Sequence, residues 1–193
     1  MRTFYLTLLL SLTFYSSIAQ ATIGNRVMTV DEMVKLMSHI KSQVEKFSVD
    51  SFNIYFEKNL NDYRVSKDLN VVCYRKEILP VATEQSSYCL RLGFLTHKQS
   101  TSTREDVDDR CKIYGVDCFL SHENLMSGNM SSLLIVYFEG MNFYDCLSKL
   151  VLQCWKLSPG HNSTLLTYGH DFAVGISLNS TNDMVACFVL LEY

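Results

Sequence analysis

A chain of 193 residues with 17 Lys and Arg against 20 Asp and Glu carries a formal net charge of −3. Both signs are scattered and no basic patch stands out, which argues against nucleic acid or an anionic membrane surface as partner. With 48% hydrophobic residues, 8 Gly and only 2 Pro, the composition excludes a disordered or collagen-like chain and fits one domain with a real core.

The first 21 residues, MRTFYLTLLLSLTFYSSIAQA, place the single cation Arg2 before an apolar run over residues 4–14, with the small residues Ala19 and Ala21 around a cleavage point. This is the layout of a secretory signal peptide, and the run is shorter than the ~20 apolar residues a bilayer span requires. Cleavage after Ala21 is expected, with no membrane span in what remains. Residues 22–50 read as an N-terminal helical extension: Thr29 to Glu32 fits a capping box, and Val30, Met33, Val34, Met37, Ile40, Val44 and Phe47 recur at helical spacing. This helix either packs on the domain or binds a partner.

The domain proper is drawn at 51–193. A second helix carries Phe52, Tyr55, Phe56, Leu60 and Tyr63. A third carries Ile78, Val81, Ala82, Cys89 and Leu92, with Pro80 in its first turn and Gly93 as stop. A short helix in TREDVDDRCKIYG sets Val107, Cys111 and Tyr114 on one side and ends at Gly115. Strands are expected over residues 116–120 and 133–138. Asn142 caps a helix with Phe143, Cys146, Leu147, Leu150, Val151 and Cys154 on one face, which runs into Ser158-Pro159-Gly160-His161. FAVGISL and MVACFVLLEY close the chain as a hairpin about the turn-rich residues 179–183. Helices first and strands late give an α+β class.

Seven cysteines in an exported chain suggest disulfides with one thiol left over. Cys146 and Cys154, eight apart on one helix, would lie ~12 Å from each other, beyond disulfide reach. Element placement instead suggests Cys154 with Cys187, although several cysteines can equally be small buried apolar residues. Asn129, Asn162 and Asn179 begin glycosylation sequons, which matter only in a eukaryotic secretory pathway.

Few residues form a chemical motif by local spacing. HENLM, residues 122–126, has Met126 where a zinc-protease helix needs its second histidine, so that reading is rejected. Ser158 near His161 lacks a nucleophile-elbow glycine pattern, and no phosphate-binding glycine loop is present. An ordered series of segments carries more weight: LNDYRVSKDL, ILPVATEQSSYCLRLGFLTHKQ, SHENLMSG, WKLSPGHNSTLL and FAVGISL. In this order and spacing the chain resembles the CAP superfamily, the SCP-type domain of cysteine-rich secretory, antigen 5 and pathogenesis-related proteins, and its microbial branch in particular. The likeness covers residues 56–193.

The resemblance implies an α-β-α sandwich, with a small antiparallel sheet between helical layers, and a cleft lined by His97, Glu123 and His161. Histidines 97 and 161 would be the metal ligands, with zinc the implied cation and water in the open positions; a proton network without metal is the alternative. Ser158 stands where many animal and plant members have a second acid, and Asn124 and Arg64 match positions expected to be structural. NMSSLLIVYFEGMN looks like an addition, either core packing or a cover over the cleft. The implied function is an exported binding module for an extracellular protein or lipid, such as a sterol. The rival is a metal-assisted hydrolase with Glu123 as general base, and a third option is a disulfide-stabilised structural protein.

The export expectation is tested by N-terminal sequencing of protein recovered outside the cytoplasm, which should begin at or near Thr22. Intact Met1 in a membrane fraction would contradict it.

Overall fold

The structure, a computed structural model, describes residues 30–135 and 142–193. The signal stretch, the capping box at Thr29 and residues 136–141 of the added segment lie outside the described residues. Seven helices and four strands are present among those described, in the order α1 (Val30–Glu45), α2 (Val49–Val65), β1 (Cys73–Tyr74), α3 (Leu79–Leu92), α4 (Val107–Ile113), β2 (Leu120–Asn129), α5 (Met130–Ile135), α6 (Phe143–Lys156), α7 (Pro159–Leu166), β3 (Asp171–Leu178) and β4 (Asp183–Glu192).

The strands lie in the order β1-β3-β4-β2. The β3–β4 and β4–β2 pairs are antiparallel, and β1 adds a two-residue parallel pairing to β3, so the sheet is mixed rather than purely antiparallel. Because side chains alternate along a strand, β4 feeds two cores. Met184, Ala186, Phe188 and Leu190 meet the apolar faces of α2 and α6, together with Ile40 of α1. Val185, Cys187, Val189 and Leu191 meet Val81, Ala82 and Cys89 of α3 and Cys111 of α4. An α-β-α sandwich results. The unbroken apolar run of β4 is what burial on both faces demands.

Each layer is seated by identifiable residues. Ser48 caps α2 by accepting the Ser51 amide at 3.2 Å. Phe56 of α2 packs against Trp155 of α6 and Phe188 of β4, with ring centroids 5.8 and 6.0 Å away. Asn53, fully buried, donates to the Val174 carbonyl at 2.9 Å and accepts the Val174 amide at 2.7 Å, taking up the β3 backbone groups beyond the short β1. On α1, Ile40 is fully buried and Leu36 and Val44 pack beside it, while Val34 and Met37 of the expected stripe face solvent. On the other layer Pro80 occupies the first turn of α3, and Gly93 ends it at φ 75°.

Two expected strands are displaced. The strand placed at 116–120 begins only at Leu120 and runs to Asn129. Gly115, at φ 65°, is still reversing the chain after α4, and the Val116 amide bonds back to the Cys111 carbonyl at 2.9 Å. Residues 133–135, expected in a strand, close α5 instead, because Asn129 Oδ1 accepts the Ser132 amide at 3.2 Å as a helix cap does. The rest of that expected strand lies outside the described residues. The Ser158-Pro159-Gly160 stop is also a start: α6 ends at Lys156, and Pro159 opens α7, where its missing amide costs nothing.

The suggested Cys154–Cys187 disulfide is not formed. All seven cysteines are free thiols, Cys154 packs in the α2–α6 core and Cys187 points into the α3–α4 core on the opposite face of the sheet.

Gly175 lets α3 lie directly on β3, since a Cβ there would sit 2.3 Å from the Thr83 amide nitrogen. Gly175→Ala should therefore lower stability by more than about 2 kcal/mol through overpacking against backbone. Gly160→Ala, in a helix with nothing within 4 Å of the new methyl, should be neutral or stabilising by up to about 1 kcal/mol. Urea unfolding midpoints of the two variants check both.

Candidate functional site

β2 is one of the two edge strands of the sheet, and its residues turn alternately to the two helical layers. Its alternation sends Glu123 and Leu125 toward α3 and α4, and Asn124 and Met126 toward the other layer. HENLM is thus an extended segment, in which His122 Nε2 lies 3.1 Å from Glu192 on the neighbouring strand.

Glu123 is the fixed point of the site. Its side chain is 4% exposed, and Oε2 pairs with Nη2 of Arg110, itself fully buried on α4. Oε1 lies 2.9 Å from Nδ1 of His97, and the Cys187 thiol donates to Oε2 at 3.4 Å. An ionised carboxylate only accepts, so His97 carries its proton on Nδ1 and presents Nε2 as its other nitrogen. Burying two charges is costly unless the geometry and extra hydrogen bonds compensate, and Glu123 receives both. Arg110 is less well provided: its Nε and Nη1 find no partner among the described residues.

His97 rides on the segment after α3, and α3 holds that segment. Gln85 donates to the Thr96 carbonyl, the Cys89 thiol does so at 3.3 Å, and Gln99 donates to Gln85 Oε1 at 3.0 Å. The bond to Glu123 is the main cause that raises the His97 pKa above its usual 6.5.

His161 comes from the other layer. It is the third residue of α7, its carbonyl accepts from Asn124 Nδ2 at 2.9 Å, and Arg64 grips the far end of the helix through the Leu165 and Thr167 carbonyls at 2.8 and 2.9 Å. Asn124 and Arg64 thus position the backbone of the helix that carries His161. Partial burial, and then the electrostatic influence of His97, lower the His161 pKa below 6.5. Ser158 is the N-cap residue of α7, and its side chain makes no cap bond.

Among the described residues no three His, Cys, Asp or Glu side chains gather as a metal-ligand cluster. A cation here would draw on His97 and His161, with Glu123 behind His97 as the carboxylate that orients it, the arrangement common behind metal-bound imidazoles. Arg110 was not anticipated from the sequence, yet a signal existed: it lies three residues after Val107 and four before Tyr114, on the stripe those residues share with Cys111.

No protein-family profile matches the sequence, and no curated protein sequence matches it. Solved structures do. An outer surface protein from Borrelia burgdorferi is similar at 16% identity with a TM-score of 0.53, over 88% of this chain and 98% of that one. An extracellular protein containing an SCP domain from Bacillus anthracis is similar at 17% identity with a TM-score of 0.55, over 90% of this chain and 48% of that one. The chain has the CAP-domain fold. At these identities the likeness speaks for the CAP architecture, and the chemistry of the cleft rests on its own residues.

Two measurements check this electrostatic arrangement. In an NMR titration His97 should titrate above 6.5 and His161 below it. His97 then favours the folded state at pH below its unfolded pKa, and that contribution is lost as pH rises through the higher folded value. The His161 contribution is present above its unfolded pKa and is lost as pH falls through the lower folded value. Glu123→Gln should bring the His97 pKa back down and destabilise the fold by about 3–5 kcal/mol, because the buried Arg110 loses its counter-charge. An unchanged His97 titration in that variant would contradict the assigned contact.

Proposed function

We propose that this protein is an exported binding module whose cleft takes a divalent cation on His97 and His161. The observation that carries the proposal is the Arg110–Glu123–His97 chain, which fixes one imidazole from behind and leaves its Nε2 unused by Glu123, while the electrostatic influence of His97 reaches His161. Neutral imidazoles are what a metal needs: burial, which lowers the His161 pKa, favours that form, while the Glu123 bond, which raises the His97 pKa, makes binding there compete with a proton. Zinc suits two nitrogen donors with water completing the sphere.

Export rests on the signal-like first 21 residues and on the names of the similar structures, an outer surface protein and an extracellular protein. Among the described residues no helix is long and apolar enough to cross a membrane. Leu92, Phe94 and Leu95, exposed at the end of α3 just before His97, offer an apolar rim for an extracellular protein or lipid such as a sterol. A binding role is favoured over metal-assisted hydrolysis because both Glu123 oxygens are engaged in a buried setting. A general base must reach the water it deprotonates.

Calorimetric titration of zinc into the mature protein tests the proposal. His97→Ala and His161→Ala should each weaken binding at least about 10-fold, His39→Ala should leave it unchanged, and wild-type affinity should fall as pH drops through the His97 titration. Equal zinc binding by wild type and His161→Ala would remove the metal site. Hydrolysis of a peptide or ester that is lost in Glu123→Gln would favour the enzyme instead.

A further inference from the structure

The turn that follows α4 brings two cysteines together. Asp106 caps the helix by accepting the Asp109 amide at 3.0 Å, and Tyr114 ends it. Gly115 then takes the left-handed conformation, its amide bonding to the Lys112 carbonyl at 3.2 Å and the Val116 amide to the Cys111 carbonyl at 2.9 Å. These paired bonds form a Schellman closure, which folds the chain back over the last turn of the helix. Cys118, three residues past Gly115, therefore returns to the level of Cys111. Cys111 sits in the core between α3, α4 and the sheet, Cys118 packs against the same core, and each thiol shifts the other's electrostatics, Cys111 on the donor side.

We propose that Cys111 and Cys118 are a disulfide site that staples the C-terminal turn of α4 to the segment leading into β2. Cys118 is the accessible partner, half-buried where Cys111 is 1% exposed. Burial raises both thiols, that of Cys111 up to about 12, and the Cys118 rise is partly countered by the bond from Cys111. As the more accessible of the two, Cys118 is the attacking thiol. Its thiolate displaces one half of a low-molecular-weight disulfide such as oxidised glutathione, giving a mixed disulfide and one released thiol. Cys111 loses its proton and attacks Cys118 Sγ, forming the internal S–S bond and releasing the second thiol. The protein pair is oxidised by two electrons, the donor is reduced by two, and the two thiol protons leave with the donor.

The staple bears on the cleft through its neighbour. Arg110 precedes Cys111 on α4 and holds Glu123, so cross-linking this turn fixes the helix from which the His97 support is built. The inference does not depend on cation binding in the cleft.

The test uses the full mature chain, reduced and then equilibrated with oxidised glutathione. Remaining thiols are alkylated, and the protein is mapped without reductant after trypsin, which cuts between the two cysteines at Lys112. The expected result is a Cys111–Cys118 cross-link and a melting temperature about 5–10 °C above that of the reduced protein. Cys118→Ser, at the half-buried position where folding is retained, should lose both the cross-link and the response to oxidant. Alkylation of both cysteines after oxidation, a cross-link from either to another cysteine, or an oxidant response that persists in Cys118→Ser would overturn the assignment.

Discussion

Burial of β4 on both faces is the constraint from which the remaining architecture follows. A strand whose alternate residues are all apolar cannot leave either side to water, so the chain must supply a helical layer on each. One layer uses large aromatic and aliphatic side chains, with Phe56, Trp155 and Phe188 in mutual ring contact. The other achieves contact by removing side chains, with Gly175 of β3 under the backbone of α3 and Ala173 beside it. The sheet is thus gripped by bulk on one side and by close approach on the other.

The same layering explains why polar side chains from both layers gather on β2. An edge strand faces one neighbour only, and β2 turns its alternate residues to different layers, so Glu123 and Asn124 reach opposite faces from adjacent positions. Glu123 secures His97 through its side chain; Asn124 secures His161 through its carbonyl. Two histidines 64 positions apart in the chain are thereby tied to adjacent residues of β2. The cost of burying Glu123 is offset by Arg110, which places a full ion pair beneath the cleft floor.

Elements with strong local chemistry were legible from the sequence. The helix with Pro80 in its first turn and Gly93 at its end, the Asn142-capped helix and the closing hairpin all stand where their caps and apolar periods put them. Less legible were the elements set by distant partners. β1 has only Cys73 and Tyr74, and exists because β3 passes beside it. Polar HENLM makes a poor strand signal, since its period is masked by His122, Glu123 and Asn124, each engaged with a different partner. The apolar stripe of α1 is broader in sequence than in packing: Leu36 rather than Val34 turns inward, a choice made by the surface it packs on and not by the helix alone. Arg110 is hidden for a related reason, because a cation on an apolar stripe reads as solvent-facing until its buried counter-charge is known.

The double bond from Asn53 to Val174 has a consequence for how this domain can associate. β1 covers β3 only as far as Phe172, which would leave the next backbone groups of β3 open to a strand from another molecule. Asn53 fills that gap with an amide of matching polarity, held rigid in the α2–β3 interface. At Val174, therefore, the sheet margin is sealed by a side chain that cannot propagate a ladder. A strand added here would lose its ladder at Val174, so this stretch of the border resists growth by strand addition.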